Sequence, residues 1–390
     1  MGAFRLAAIR ILIVYVTAGA GHRRAAEAIA QAAERALPSA TVECRDLLDE
    51  VPAWLRRAYP ATYYLLVRHF PWCWAWSFAL LDRQPLYGLI QPLRRLWNDW
   101  AARRFTRALR ADPPDLIVTT HFFPADVVSA CKRRGGLPSP LVVVVTDLQP
   151  HRFWLGPADR IVVGTEEGFK AAVRRGAAAD RLRVLGIPTA HGFRDTFDPA
   201  TLQRQFGLAP ERRTVLVTGG GSPVGPFEAV VEALRGLEDA MPGRLQLLVV
   251  CGYDAAVRQR VSERVRGSRM PVTVLGFIET MAQAMAVSHL IVTKAGGVTV
   301  TEALARGLPL VLYHVIPGQE QLNARYVVEH GAALLELQPL RLAQAVQRLF
   351  EQPERLEQMR VAAGALSHPD TAATIVSQVM QPLLTQARQP

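Results

Sequence analysis

The chain has 390 residues, half of them hydrophobic and a fifth charged, with a net charge of +11. That length exceeds one ordinary core and suits two α/β domains, and the composition is that of a globular rather than a disordered protein. Four scattered cysteines, Cys44, Cys73, Cys131 and Cys251, with no CxxC pair, argue against a disulfide framework or a zinc site and fit a reducing compartment.

The N-terminal apolar run is interrupted by Arg10 and followed at once by glycines, so it reads as a buried first strand over 9–16 rather than a secretory signal. Thr17-Ala18-Gly19-Ala20-Gly21-His22 then leads into a helix over 23–37, stopped at Pro38, and 41–44 reads as a second strand. A glycine loop between strand and helix also fits a dinucleotide site, with Glu43 near the place of a ribose-binding acid. That alternative leaves the second half of the chain unexplained. Residues 51–110 read as helices with proline breaks. They hold ten arginines against two acids, Asp82 and Asp99, and six of the seven tryptophans: Trp54, Trp72, Trp74, Trp76, Trp97 and Trp100. Arginine draws anionic headgroups and indole rests between water and acyl chain, so the segment suits a membrane surface. A helical subdomain with aromatics as plain core is the competing reading. Nucleic acid is not an expected partner, because no RNA- or DNA-binding motif is present. No run reaches the ~20 apolar residues of a spanning helix.

Runs over 116–120 and 141–146 read as strands ending in polar pairs, Thr120-His121 and Thr146-Asp147. Strands over 160–163 and 183–185 complete a parallel sheet with helical crossovers. The pattern lapses over 187–212, where 187–192 looks like a linker. It restarts with strands over 214–218, 245–250, 272–275, 290–293 and 308–312, and ends in a helix over about 369–386. The expected organisation is an N-terminal Rossmann-like domain over 1–190, carrying the segment 51–110, a second one over 191–368, and a C-terminal helical stretch over 369–390 able to pack back on the first.

In such sheets ligands bind beyond the carboxyl ends of the strands. Thr218-Gly219-Gly220-Gly221-Ser222 joins a strand to a helix and suits phosphate oxygens. In Thr293-Lys294-Ala295-Gly296-Gly297-Val298-Thr299-Val300-Thr301-Glu302 a helix begins near Val298. Its backbone N–H groups would face a diphosphate, and Glu302 could accept from ribose hydroxyls. After the next strand, Gln319, Glu320 and Asn323 offer the clustered donors and acceptors a sugar requires. Each loop alone could be a tight turn; two on neighbouring strands are hard to assign to chance.

Residues 293–331, TKAGGVTVTEALARGLPLVLYHVIPGQEQLNARYVVEHG, resemble the donor region of the diacylglycerol hexosyltransferases. These are the monogalactosyldiacylglycerol synthases and processive diacylglycerol glucosyltransferases, similar to glycosyltransferase family 28. GAGHRRAAEAI (19–29) resembles their glycine-histidine loop, and Val145-Thr146-Asp147-Leu148, Gly186-Ile187-Pro188 and Leu275-Gly276-Phe277-Ile278 match in order and spacing. The resemblance implies an α/β GT-B fold, two Rossmann-like domains facing across a cleft. It also implies UDP-galactose or UDP-glucose as donor, inversion at the anomeric carbon and diacylglycerol as acceptor. Uracil would lie on the Ile278 backbone and ribose on Glu302. The diphosphate would lie against Gly219, Gly220, Gly221, Ser222, Gly296, Gly297, Val298 and Thr299, and the hexose on Gln319 and Glu320. Gly21, Trp54, Trp72, Trp74, Trp76, Arg94 and Arg95 would form the acceptor and membrane side, on the inner, cytoplasmic face of the cell membrane. The alternative is transfer to another lipid-linked or soluble acceptor. The related peptidoglycan-precursor N-acetylglucosaminyltransferases usually have Gln-Gln where this chain has Gln319-Glu320. One departure stands out: the family commonly has Arg-Pro after the GIP motif, and here Ala190-His191 occupies those positions, leaving His191 or Arg194 to replace the arginine's charge.

An inverting transfer needs a base for the acceptor hydroxyl, and histidine titrates near working pH. His22 is the first candidate. Asp147 is the second, either orienting the histidine or acting as base itself, and His121 carries less weight. The chain has no DxD, so no metal or cofactor is expected. Helix N-termini and glycine loops would hold the leaving diphosphate, with Lys294 adding charge.

Overall fold

A computed structural model describes residues 9–17 and 19–387. The start of the N-terminal apolar run, Ala18 in the first glycine loop and the last three residues lie outside the described residues. The chain divides into two compact units, one of residues 1–66, 72–190 and 370–390, the other of residues 67–71 and 191–369.

The elements up to residue 190 are β1 (Arg10–Tyr15), α1 (Ala20–Ala36), β2 (Thr41–Asp46), α2 (Ala53–His69), α3 (Pro71–Leu81), α4 (Gln84–Ala101), α5 (Arg103–Ala111), β3 (Leu116–Thr119), α6 (Phe122–Arg133), β4 (Leu141–Val144), β5 (Arg160–Val163), α7 (Glu166–Arg174) and β6 (Leu182–Val184). All pairings in the six-stranded sheet are parallel, in the order β2-β1-β3-β4-β5-β6. β3 and β4 are wholly buried runs of LIVT and LVVV, as expected of strands covered on both faces. One face packs on Phe105, Leu109, Val127 and Val128 of α5 and α6. The other packs on Ala26, Ile29 and Ala33 of α1.

The second unit continues with α8 (Pro199–Phe206), β7 (Arg213–Thr218), α9 (Phe227–Arg235), α10 (Leu237–Ala240), β8 (Leu245–Val250), α11 (Ala255–Arg264), β9 (Val272–Leu275), α12 (Met281–Ala286), β10 (Leu290–Lys294), α13 (Gly297–Ala305), β11 (Leu310–His314), α14 (Gln319–Glu329), β12 (Ala333–Leu335), α15 (Pro339–Glu351) and α16 (Pro353–Ala365). Its parallel sheet runs β12-β11-β10-β7-β8-β9. Past residue 370, α17 (Thr371–Ile375), a π-helical turn (Val376–Met380) and α18 (Gln381–Ala387) follow one another. Ile375, Val379, Met380 and Leu383 of this stretch join Ile11, Ile13 and Ile29 in the core of the first unit.

Each sheet has one point where the strand order reverses, between β1 and β3 in the first and between β7 and β10 in the second. Crossovers leave the sheet on opposite faces there, which opens a crevice at the carboxyl ends of those strands. The turn from β1 into α1 holds His22 and the loop after β3 holds Thr120; the loops after β7 and β10 hold the glycine runs.

Several elements differ from the sequence reading. α1 begins at Ala20, not 23, because Gly19 takes φ 120 and turns the chain directly into the helix, so His22 stands in the first helical turn. Pro60 and Pro92 lie inside α2 and α4 rather than breaking them. The stretch read as featureless contains α8. Its Asp198 side chain caps the Thr201 N–H, Pro199 opens it, and Gly207 ends it in the left-handed region at φ 65. β12 is a three-residue strand too short to signal itself.

Candidate active site

In the first unit His22 is held from two sides. Its Nδ1 lies 2.8 Å from the carbonyl of Thr120 and 2.9 Å from Thr146 Oγ1, and Thr120 Oγ1 donates to the His22 carbonyl at 2.8 Å. A carbonyl can only accept, so Nδ1 carries the ring proton and Nε2 keeps its lone pair. Burial pushes the His22 pKa down to about 4, against an opposing pull from the Thr120 hydrogen bond. The imidazole is therefore neutral near pH 7.

The His121 ring meets His22 edge-on at 4.5 Å, with Trp154 6.1 Å from His22. His121 Nδ1 accepts from the Phe123 N–H at 3.0 Å as the cap of α6, which puts its proton on Nε2. Burial first, and repulsion from His22 second, hold its pKa well below the ordinary histidine value. The helix-capping bond makes His121 a structural neighbour of the base candidate. Asp147 is half-buried on the loop after β4. The sequence offered it as an orienting group for His22, and here the structure corrects that reading: Nδ1 is held by Thr120 and Thr146.

In the second unit the glycine loops converge. A Cβ built on Gly220, at φ +73, would stand 3.8 Å from both Lys294 Cε and Thr299 Oγ1. Gly219 is pressed against Pro223, whose Cα would lie 2.5 Å from an added Cβ. From beneath, Gly252 at φ +62 supports the loop, and the Tyr253 N–H donates to the Gly221 carbonyl at 2.9 Å. Ser222 and Ile278 are half-buried. α13 starts at Gly297 with Gly296 as its cap, so the first N–H groups of the helix, at Gly297, Val298 and Thr299, have no intrahelical partners and form an anion site. Glu302 is buried on the same helix.

Lys294 Nζ is ion-paired with Glu320 Oε1, and Glu320 Oε2 accepts from the Ile316 N–H at 3.0 Å. Gly296 makes room for this pair: an added Cβ would lie 3.0 Å from Lys294 Nζ and 3.6 Å from Glu320 Oε1. Lys294 thus neutralises Glu320 rather than standing as a free cation for the diphosphate. Asn323, read as a sugar contact, is fully buried and its Nδ2 donates to the Ala295 carbonyl at 3.1 Å. It ties α14 to the Gly296 turn, a correction the sequence could not supply because the partner is a backbone carbonyl 28 residues away. Gln319 beside it has a buried Oε1 with no hydrogen-bond partner. An orphaned buried acceptor costs ~1–3 kcal/mol, and a sugar hydroxyl would satisfy it.

Of the linker residues, His191 Nε2 lies 3.9 Å from Asp195 Oδ1 and Arg194 is exposed. The backbone of this stretch is held by Arg306, which donates to the carbonyls of Phe193 at 3.3 Å and Asp195 at 2.8 Å. Sequence reasoning missed Tyr253 and passed over Phe277. They stack 4.1 Å apart on the loops after β8 and β9, next to Ile278, and nothing in the local sequence pairs them.

The helical segment is less uniformly outward than its composition suggests. Trp72 and Trp76 are 64% and 73% exposed, as are Leu89, Leu93 and Leu96 of α4 to a similar degree, and Trp54 is exposed too. Trp74 is turned inward, its ring 5.3 Å from Tyr63. Arg94 is also not surface charge: it bonds the buried Asp126 at 3.1 Å and lies 4.2 Å over the Phe153 ring. Arg95 is half-buried and Gly21 lies in the first turn of α1. The two acids of the segment are tied down, Asp82 to Arg175 at 2.6 Å and Asp99 to Arg134 at 2.5 Å. Among the described residues no helix is long and apolar enough to cross a membrane, and no group of three or more His, Cys, Asp or Glu could hold a metal ion.

Two Rossmann-like units, each built on a parallel sheet with its candidate site at the reversal of strand order, are the layout of the GT-B fold. MurG of Acinetobacter baumannii superimposes with a TM-score of 0.62 at 17% identity, over 96% of this chain and 99% of that one. Residues 22–189 match the family described as monogalactosyldiacylglycerol (MGDG) synthase, and residues 214–375 match the glycosyltransferase family 28 C-terminal domain. The chloroplastic monogalactosyldiacylglycerol synthase of Spinacia oleracea is 32% identical over 94% of this chain and 71% of its own length. A processive diacylglycerol beta-glucosyltransferase of Bacillus cytotoxicus is 27% identical over 95% of this chain and 93% of its own. The chain belongs to the monogalactosyldiacylglycerol synthase family of glycosyltransferases.

Proposed function

We propose that the protein transfers a hexose from UDP-galactose or UDP-glucose to the free hydroxyl of diacylglycerol at a membrane surface, inverting the anomeric carbon and using no metal. Similarity along nearly the whole chain to an enzyme named for making monogalactosyldiacylglycerol carries the substrate class. The chemistry follows from the residues. The uracil lies on the Ile278 backbone beside the Tyr253–Phe277 stack, and Glu302 receives the ribose. The N–H groups at the start of α13, with Gly219, Gly220, Gly221 and Ser222, hold the diphosphate and stabilise its departure. Gln319 and Glu320 hold the hexose, Gln319 through its unpartnered Oε1. Nε2 of His22 takes the proton from the acceptor hydroxyl as that oxygen attacks from the face opposite UDP.

Docking rests on the exposed Trp54, Trp72, Trp76, Leu89, Leu93 and Leu96 and on the arginines around them. α3 is apolar on every side, with no buried residue among PWCWAWSFALL. At ~1.5 Å per residue it is too short to span a bilayer but long enough to lie in the headgroup region of the inner, cytoplasmic face. Purified protein offered diacylglycerol vesicles and each UDP-sugar in turn should give a monohexosyl glycolipid of inverted configuration, with the same rate in EDTA. Sugar transfer only to a soluble or polyprenyl-linked acceptor would refute the lipid assignment, and loss of activity in EDTA would refute the metal-free one.

A further inference from the structure

Thr120 and Thr146 end neighbouring strand loops, after β3 and β4, and both are buried. A buried threonine in a loop commonly caps its own backbone. These two instead reach across the sheet to one ring nitrogen in the first turn of α1. Thr120 contributes its carbonyl at 2.8 Å and Thr146 its hydroxyl oxygen at 2.9 Å. With the Thr120 carbonyl forcing the proton onto Nδ1, the Thr146 oxygen is a second acceptor of that same N–H. No side-chain carboxylate takes this place, although Asp147 follows Thr146 directly in sequence.

We propose that Thr146 is a positioning residue for the base: together with the Thr120 carbonyl it fixes the ring so that Nε2 faces the acceptor hydroxyl, and it stabilises the imidazolium that forms when Nε2 receives the proton. The inference rests on the reading of His22 as base. In the transfer the acceptor oxygen bonds to the anomeric carbon, the bond from that carbon to UDP breaks with its electron pair leaving on the diphosphate, and the acceptor O–H bond breaks with its proton passing to Nε2, so positive charge appears on a ring whose only relief is at Nδ1. Hydrogen bonds to a charged group contribute more than neutral ones. Two acceptors on Nδ1 therefore favour the protonated ring more than the neutral one. His121, 4.5 Å away across the ring edge, has its Nδ1 engaged by the Phe123 N–H. Trp154, the third neighbour, is uncharged.

The test uses the full chain with UDP-hexose and diacylglycerol vesicles. Thr146→Val removes the oxygen while keeping the branched shape, and Nδ1–H retains the Thr120 carbonyl. It should lower kcat about 10-fold, the value of one charge-assisted hydrogen bond, with KM for the UDP-sugar unchanged and the acid limb of the kcat profile moved to lower pH. Thr146→Ser should restore both. In a His22→Ala background the valine substitution should cost nothing further. Equal losses in both backgrounds, or a serine variant as slow as the valine one, would overturn the inference and leave His22 as base. Near-normal turnover of His22→Ala would instead remove the base reading, and the inference with it. Should Thr146→Val fail to bind UDP or to melt cooperatively, Thr146→Ala takes its place with the same expected outcomes.

Discussion

Charging His22 in the folded protein means burying a cation beside a second histidine, so protonation and folding oppose one another. Its folded pKa of about 4 lies below the ordinary 6.5. Between those values the unfolded chain binds a proton that the folded chain does not. Stability is therefore full above pH 6.5 and is lost as pH falls toward 4. Burial shifts His121 and His151 in the same direction, so they add to the effect. Thermal unfolding should show Tm falling by several degrees between pH 7 and pH 4.5, and less steeply in His22→Gln. A Tm that is flat over that window in the wild type would contradict the buried, neutral assignment. A histidine at a glycine-rich helix start was legible as a candidate base. Its tautomer was not, since Thr120 and Thr146 lie 98 and 124 residues away in sequence. For the same reason Asn323 and Glu320 look alike in sequence, although one is a strut to the Ala295 carbonyl and the other is ion-paired with Lys294.

Among the elements, the donor site depends on how closely the β7 loop approaches its neighbour. An alanine at position 252 would have to adopt φ +62 and place its Cβ 2.4 Å from the Gly221 carbonyl oxygen. The left-handed region costs a non-glycine residue ~1–2 kcal/mol, and relief can come only by moving the loop of Gly219, Gly220 and Gly221. Gly252→Ala should accordingly weaken UDP binding about 10-fold or more by calorimetry, with the circular dichroism spectrum unchanged. Unaltered affinity would show that this loop does not contact the nucleotide. Strand and helix alternation predicted eleven of the twelve strands among the described residues, because continuous Val, Ile and Leu runs leave few alternatives. α8 was missed although Asp198, Pro199 and Gly207 are all capping signals, since its eight residues offer too little periodicity to stand out. The helical segment is tied to α7 and α6 through two carboxylate contacts, half-buried Asp82 with Arg175 and buried Asp126 with Arg94, which local patterning does not reveal.

For the whole molecule, charge and exposed apolar surface are concentrated together. With Asp82 and Asp99 engaged by Arg175 and Arg134, the exposed arginines of the helical segment present their charge to solvent beside the bare indoles. Flotation should recover the protein on vesicles rich in anionic lipid. Recovery should weaken as salt rises and fall further in Trp72→Ser with Trp76→Ser. Equal recovery on neutral and anionic vesicles would remove the electrostatic part of this picture. The sequence by itself determined the two α/β units, the glycine loops that mark their ligand ends and the family, because apolar periodicity and glycine spacing are local properties of the chain. The tertiary structure alone decided which polar groups meet. The twin acceptors on His22, the Lys294–Glu320 pair, the unpartnered Gln319 oxygen and the inward turn of Trp74 and Arg94 all arise where strands distant in sequence lie side by side. Hydrogen bonding acts over about 3 Å in space, and only the folded sheet brings those atoms within that reach.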